Sequence, residues 1–392
     1  MWVKCSGVTI GTDSPPNPLR PLALYVHIPF CRSRCTYCAF NTYAGMDALI
    51  PAYVEALSVE IRAAPGAPAR TLYFGGGTPS LLSQDALASI LQALQERFRF
   101  SPQMEITLEA NPGTVDQMYL RAVRELGVNR LSLGVQSAHA DELHLLGRQH
   151  TWEDAMKAVA DARAAGLENV NLDLIYGLPG QTLARWKETL EAALSLDPDH
   201  LSLYALTVEE GTPLEEQVVR GALPPPDDDR TAEMYEWAET RLAQAGYIHY
   251  ELSNWARSDR YFCQHNRIYW RNEPYLGLGA GASSWWGGRR WTNVRHPREY
   301  IRRLKTGQPI GEEMEVISRQ LEMGETMLMG LRLMEGVSDA RFRARFGVGL
   351  GEAFGAELTR LAAQGLLEWD GKTARLTPRG RLLGNWVFRE FV

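Results

Sequence analysis

Six short β-type runs, each followed by a segment with apolar residues at helical spacing or by a loop, constrain the fold of this chain more than any other feature. They span Leu22 to Ile28, Thr71 to Phe74, Glu105 to Ala110, Arg130 to Val135, Asn169 to Ile175 and His200 to Thr207. Between the first two, Asp47 to Ala63 carries Leu49, Tyr53, Leu57 and Ile61 every four residues, with Asp47 as the expected cap. Ser83 to Phe98, Met118 to Leu126, Trp152 to Ala165 and Leu183 to Leu196 have the same character, and Ser83 opens its segment as a cap. This alternation predicts parallel βα units, arranged either as an open doubly wound sheet or as a curved partial barrel. The polar residues favour the barrel. Gly75-Gly76-Gly77-Thr78, Glu109 with Asn111, Gln136, and Asp173 with Gly177 all lie at or near the C-terminal ends of their runs. One such residue is a turn or a cap; a whole series in register points to one mouth, facing the loop that follows the first strand.

That loop holds Cys31, Cys35 and Cys38, spaced Cys-x3-Cys-x2-Cys after Leu24-Tyr25-Val26-His27-Ile28-Pro29-Phe30. The chain has five cysteines, an odd number with three clustered, which is the pattern of metal or redox chemistry rather than of a disulfide framework. Thiolates suit zinc, copper(I) and iron-sulfur clusters. A structural zinc site closes with four protein ligands, often in two Cys-x2-Cys pairs, and no second pair follows; Cys263 and His265 are the only later candidates. Three thiolates in one short loop fit a cubane with one iron left free of protein ligands.

The rest of the chain bounds the function. A 45% hydrophobic and 22% charged composition belongs to a compact globular protein, and a net charge of −6 argues against a general nucleic-acid surface. No apolar run is long enough for a transmembrane helix, and the N-terminus lacks the pattern of a secretory signal, so a cytoplasmic location is expected, with peripheral contact with the inner membrane left open. Residues 1–21, rich in proline, read as a flexible leader in which Cys5 is a bystander, and residues 22–215 as the barrel core. Residues 216–303 form a glycine- and tryptophan-rich extension with Trp255, Trp270, Trp285, Trp286 and Trp291. Residues 304–392 read as a mostly helical domain whose helix, hairpin and final helix resemble a winged helix. The sequence does not set an oligomeric state.

Read together, Tyr25-Val26-His27-Ile28-Pro29-Phe30-Cys31, Phe74-Gly75-Gly76-Gly77-Thr78-Pro79, Leu133-Gly134-Val135-Gln136-Ser137 and Asp173-Leu174-Ile175-Tyr176-Gly177-Leu178-Pro179-Gly180-Gln181 resemble the radical S-adenosylmethionine (SAM) superfamily. Within it they resemble the oxygen-independent coproporphyrinogen III dehydrogenase family and its relatives, over nearly the whole chain from about Leu22. The resemblance implies an α/β fold built on a partial (β/α)6 radical SAM barrel, and a [4Fe-4S] cluster on Cys31, Cys35 and Cys38 whose remaining iron is chelated by SAM. It further implies that Tyr25 borders the cluster and SAM, that Gly76, Gly77 and Thr78 contact SAM, that Glu109 meets its methionine part, and that Gln136, Arg148 and Asp173 complete the adenosyl and ribose contacts. In isolation, Arg148 reads as a surface ion-pair residue and Asp173 as a cap.

Two departures from the dehydrogenase matter. Its fourth cysteine, two places after the third, is Phe40 here, and His265-Asn266-Arg267-Ile268-Tyr269-Trp270 looks like the His-Asn-x-x-Tyr-Trp signature of the heme-chaperone branch (HemW type). That branch implies heme binding, with His265 as a candidate axial ligand and Cys263 as an alternative thiolate ligand, and delivery to acceptor heme proteins, respiratory ones among them. On its own, His265 reads as a structural histidine and Cys263 as a small buried residue. The competing expectation is the dehydrogenase itself, an enzyme that decarboxylates coproporphyrinogen III propionates.

Overall fold

The computed structural model describes residues 21–392, so Cys5 and nearly all of the expected leader lie outside the described residues. The chain begins β1 (Leu22–Ile28), α1 (Ile50–Ala63), β2 (Pro68–Gly76), α2 (Gln84–Arg97), β3 (Arg99–Ala110), α3 (Gln117–Glu125), β4 (Arg130–Gln136), α4 (Trp152–Ala164), β5 (Val170–Tyr176), α5 (Leu183–Ser195) and β6 (His200–Ala205). It continues α6 (Asp228–Gln244), β7 (Ile248–Glu251), β8 (Asn254–Ala256), α7 (Gln264–Trp270), β9 (Tyr275–Leu278), β10 (Ser283–Trp286), β11 (Arg289–Asn293), α8 (Pro297–Lys305) and β12 (Gly311–Val316). The remainder is α9 (Arg319–Gly330), β13 (Val337–Ser338), α10 (Asp339–Phe346), α11 (Leu350–Ala363), β14 (Leu367–Trp369), β15 (Thr373–Leu376) and two short helices.

The chain divides into two units. The first runs to Leu172 and adds Thr207–Leu223 and Pro274–Val316; the second is Asp173–Leu206, Pro224–Glu273 and Ile317–Val392, so the division falls within β5. In the first unit the strand order is β12-β11-β10-β9-β1-β2-β3-β4. β1 is parallel to β9 and β2, with His27 opposite Gly75 and Ile28 opposite Gly76. β2, β3 and β4 continue in parallel, whereas β10, β11 and β12 are antiparallel. β1 is buried nearly throughout, which is why its sequence is a continuous apolar run rather than an alternation.

Local chemistry explains the helix starts. Ser83 Oγ accepts from Ala86 N, and Thr151 with Asp154 forms a reciprocal capping box at α4. α4 then buries Ala155, Ala158, Val159 and Ala162, the spacing of one helical face. Asp47 differs from expectation: a 3-10 turn over Asp47–Leu49 precedes α1, and Asp47 makes no side-chain cap.

In the second unit β6, β8 and β7 follow the end of β5, with β8 antiparallel to both neighbours. Its C-terminal part packs α9, α10 and α11 around Met327, Leu331, Phe342, Phe346, Leu358 and Leu361, beside a small sheet ordered β13-β15-β14. This is the helix-and-hairpin order expected of a winged helix. Among the described residues no helix is long and apolar enough to cross a membrane.

Candidate cofactor site

The cysteine loop is fixed from several sides within the first unit. Gly77 N donates to Ile28 O and Thr78 N to Phe30 O, both at 2.8 Å, so the turn after β2 is laced to the entry of the loop. Thr36, between the second and third cysteines, donates from N to Leu146 O and from Oγ1 to Leu145 O, and its own carbonyl accepts from Leu214 N. Cys31, Cys35 and Cys38 are free thiols, each half-buried. Burial pushes the Cys31 thiol up; a hydrogen bond from Thr78 opposes this, and charge on Cys38 and Cys35 adds to it.

A directed chain of donors ends on these sulfurs. Arg148 Nη2 donates to Asn111 Oδ1 (2.5 Å) and to Gly134 O (2.6 Å), Asn111 Nδ2 donates to Thr78 Oγ1 (3.0 Å), and Thr78 Oγ1 donates to Cys31 Sγ (3.6 Å). Arg148 Nη1 reaches Cys35 Sγ at 3.5 Å. Arg148 thus faces thiols, not the solvent-exposed carboxylate its bland reading would have given it. Donors converging on sulfur stabilise thiolate, the form that binds metal. In the sequence Asn111 stands out as no more than a strand-end amide; the folded register of β2 against β3 makes it the link between Thr78 and Arg148.

A second network lines the end of β2. Glu109 Oε1 accepts from Tyr73 Oη (2.7 Å) and Oε2 from Gly76 N (3.2 Å). His27 is buried, with Nε2 2.9 Å from Asn41 O and Nδ1 2.9 Å from Tyr25 Oη. A carbonyl can only accept, so Nε2 carries the proton and Nδ1 accepts from Tyr25. Burial holds His27 below the ordinary imidazole range, which keeps this neutral tautomer.

The glycines are there for space. Gly76 has φ +113°, and a Cβ on it would stand 2.4 Å from His27 Cε1; one on Gly77 would stand 2.6 Å from Phe30 O and 3.0 Å from Cys31 Sγ. Gly76→Ala is therefore expected to lower stability by about 2–3 kcal/mol, from backbone strain and overpacking against a ring held at both nitrogens. Thermal unfolding of the variant checks this, and an unchanged midpoint would count against it. Gln136 also has a left-handed φ of 69°, and its buried Oε1 has no hydrogen-bond partner among the described residues. A strained backbone with an orphaned acceptor at a strand end asks for an explanation, and a ligand bearing donors would supply one.

These residues fit the expected groups. Soft donors on one half-buried loop, uncrowded by Gly77 and backed by cationic and hydroxyl donors, suit an iron-sulfur cluster, and the unpartnered Gln136 oxygen suits a ligand bearing donors. A cubane asks each of the three thiolates for a different iron. Phe40 is exposed beside the loop.

Two of the expected site residues belong to the second unit. Asp173 lies half-buried in the middle of β5. His265 is on α7, 1% exposed, with Nε2 2.8 Å from Tyr269 Oη and the two rings edge to face. Tyr269 stands one turn after His265, so the spacing of the signature itself brings the two together. Cys263 is fully buried, and its N donates to Tyr250 Oη at 3.2 Å.

Residues 25–193 match the radical SAM superfamily and residues 317–383 the HemN C-terminal domain. Heme chaperone HemW of Lactococcus lactis subsp. lactis is 38% identical over 95% of this chain and 98% of its own length. Heme chaperone HemW of Escherichia coli is 36% identical over 95% and 99%, and the mitochondrial radical S-adenosyl methionine domain-containing protein 1 of Bos taurus 37% over 97% and 91%. Among solved structures, the radical SAM enzyme coproporphyrinogen III oxidase (HemN) of Escherichia coli superposes with a TM-score of 0.84 at 26% identity, covering 95% of this chain and 90% of that one. With near-complete coverage at these identities, the chain belongs to the heme chaperone HemW family of the radical SAM superfamily.

Proposed function

We propose that this chain binds heme and passes it to acceptor heme proteins, respiratory ones among them, while carrying a SAM-binding [4Fe-4S] cluster. The observation that carries the reading is α7, where His265, Tyr269 and Trp270 stand in the signature spacing on one short helix, in a chain with Phe40 where the dehydrogenase has its fourth cysteine. Imidazole is a proper axial ligand, and aromatic side chains suit a porphyrin face. Because His265 Nε2 is held by the Tyr269 hydroxyl, ligation through that nitrogen exchanges one hydrogen bond for a bond to iron.

In this proposal Cys31, Cys35 and Cys38 hold the cluster and Tyr25 borders it. Gly76, Gly77 and Thr78 offer close backbone approach to SAM, Glu109 faces its cationic methionine part, and Gln136, Arg148 and Asp173 serve the adenosyl and ribose groups. When bound, cluster and SAM together supply reductive chemistry, and the chain's residues orient them. The unpartnered Gln136 oxygen supports its assignment, and the Arg148–Asn111–Thr78 chain, which ends on Cys31 and Cys35, supports the cluster site.

The test is a heme titration of the full chain. Uptake is expected at about one heme per chain, with affinity falling about tenfold or more in His265→Ala as the axial bond is lost. No protoporphyrinogen is expected from coproporphyrinogen III under anaerobic reduction with SAM. Formation of that product would overturn the chaperone reading in favour of the dehydrogenase.

A further inference from the structure

A buried polar atom without a partner costs about 1–3 kcal/mol, more when charged, so neighbouring orphans mark a place built for something polar. In the second unit, Glu251 Oε1, Asn254 Oδ1, Trp270 Nε1 and Arg332 Nε are buried with no hydrogen-bond partner among the described residues. Glu251 and Asn254 face each other across the β7–β8 pairing and are 0% and 2% exposed. The segment carrying Arg332 runs alongside, because Leu252 N donates to Arg332 O at 3.0 Å and Glu251 forms a bridge with Leu333. The Arg332 guanidinium lies over the Trp270 ring, 4.5 Å from its centroid, and 5.7 Å from that of Phe388. The other Glu251 oxygen accepts from Ser253 N, at 3.3 Å. Burial pushes the Glu251 carboxyl up to about 7, against the pull of Ser253 N–H and Arg332, and the same burial lowers Arg332.

The chemistry narrows what belongs there. Arg332 and Trp270 each present an N–H with no acceptor, and their aromatic surroundings suit an apolar stem. A phosphate dianion would bring two charges up to the Glu251 carboxyl, whereas a single carboxylate brings one and can accept from that carboxyl in its acid form. Heme carries such groups on short apolar stems, and α7, the helix of His265, also supplies Trp270.

We propose that Arg332, Trp270 and Glu251 form a subsite for a propionate carboxylate of the heme cargo. The proposal rests on the heme reading above. Arg332 Nε–H and Trp270 Nε1–H donate to the carboxylate, Trp270 and Phe388 cover its stem, and Glu251 contributes a donor while protonated.

The probes are hemin and hemin dimethyl ester, whose propionates are blocked, titrated against the full chain. The unaltered protein is expected to bind hemin about tenfold or more tightly than the ester, and Arg332→Gln to lose that preference while still binding the ester. Equal affinity for the two by the unaltered protein, a comparison that needs no variant to fold, would overturn the subsite and leave heme binding intact. So would an undiminished preference in Arg332→Gln. Failure to bind either probe would instead sink the heme reading and the subsite with it.

Discussion

Cys31→Ser, Cys35→Ser and Cys38→Ser are each expected to leave the chain with a small fraction of the iron that the unaltered protein takes up on anaerobic reconstitution. The argument is one of ligands and of what surrounds them. A serine hydroxyl is a hard, nearly always protonated group where the site offers soft thiolate, and the donors aimed at sulfur, Thr78 Oγ1 on Cys31 and Arg148 Nη1 on Cys35, were shown to suit an anion. No replacement thiol is at hand on the same loop. Cys263 is fully buried in the second unit. Loss of an outer hydrogen-bonding partner alone lowers metal affinity by about 10–100-fold, and loss of a ligand exceeds that. Iron content and the visible absorption of the reconstituted protein are the measurements, and near-wild-type iron in any one of the three variants would remove that cysteine from the site.

What the sequence told of this site depended on the range of each interaction. Strand β1 was legible to the residue, because a buried parallel strand writes itself as an unbroken apolar run. α2, α4 and α5 were legible to within a residue or two, because Ser83, Thr151 and Thr182 cap them locally. β12 was not, since Gly311 to Val316 is an exposed strand carrying Glu312, Glu313 and Glu315 and shows no apolar alternation. Likewise the cysteines, the glycine turn and Gln136 stand out as motifs, whereas the partners of Arg148 had to be seen: Cys35 lies 113 residues away from it and Asn111 lies 37 away. Glu251, Asn254 and Arg332 escaped for the same reason, as nothing in a run such as Leu331-Arg332-Leu333 says that its arginine is turned onto Trp270.

The deepest of these long-range features is Glu60, which reads as one more charged residue on an amphipathic helix. In the fold the residue is half-buried with its carboxyl turned inward, and three donors meet that carboxyl: Tyr300 Oη at 2.5 Å and Gly279 N at 2.7 Å on Oε2, and Asn293 Nδ2 at 2.7 Å on Oε1. Tyr53, packed against Tyr300, donates to His27 O (2.7 Å) and accepts from Ala280 N (2.9 Å), so this cluster buttresses the end of β1 just before the cysteine loop. Glu60→Leu strands all three donors and is expected to cost about 3–6 kcal/mol. Glu60→Gln keeps one acceptor but turns an N–H towards a neighbouring donor, for a cost nearer 1–2 kcal/mol. The pH dependence separates charge from packing. Burial pushes Glu60 up to about 7 against the pull of its donors, above the ordinary 4.5, so the folded state holds this proton more tightly than the unfolded chain. Its contribution is fully present below about pH 4.5 and is lost as pH rises through about 7, a change of about 3 kcal/mol. Glu251 shifts the same way, which makes the comparison with Glu60→Gln the informative one. Denaturant unfolding of both proteins at intervals from pH 5 to 8 should show the unaltered chain losing stability relative to the variant, and a gap that stays constant across that range would mean that Glu60 is already ionised throughout it.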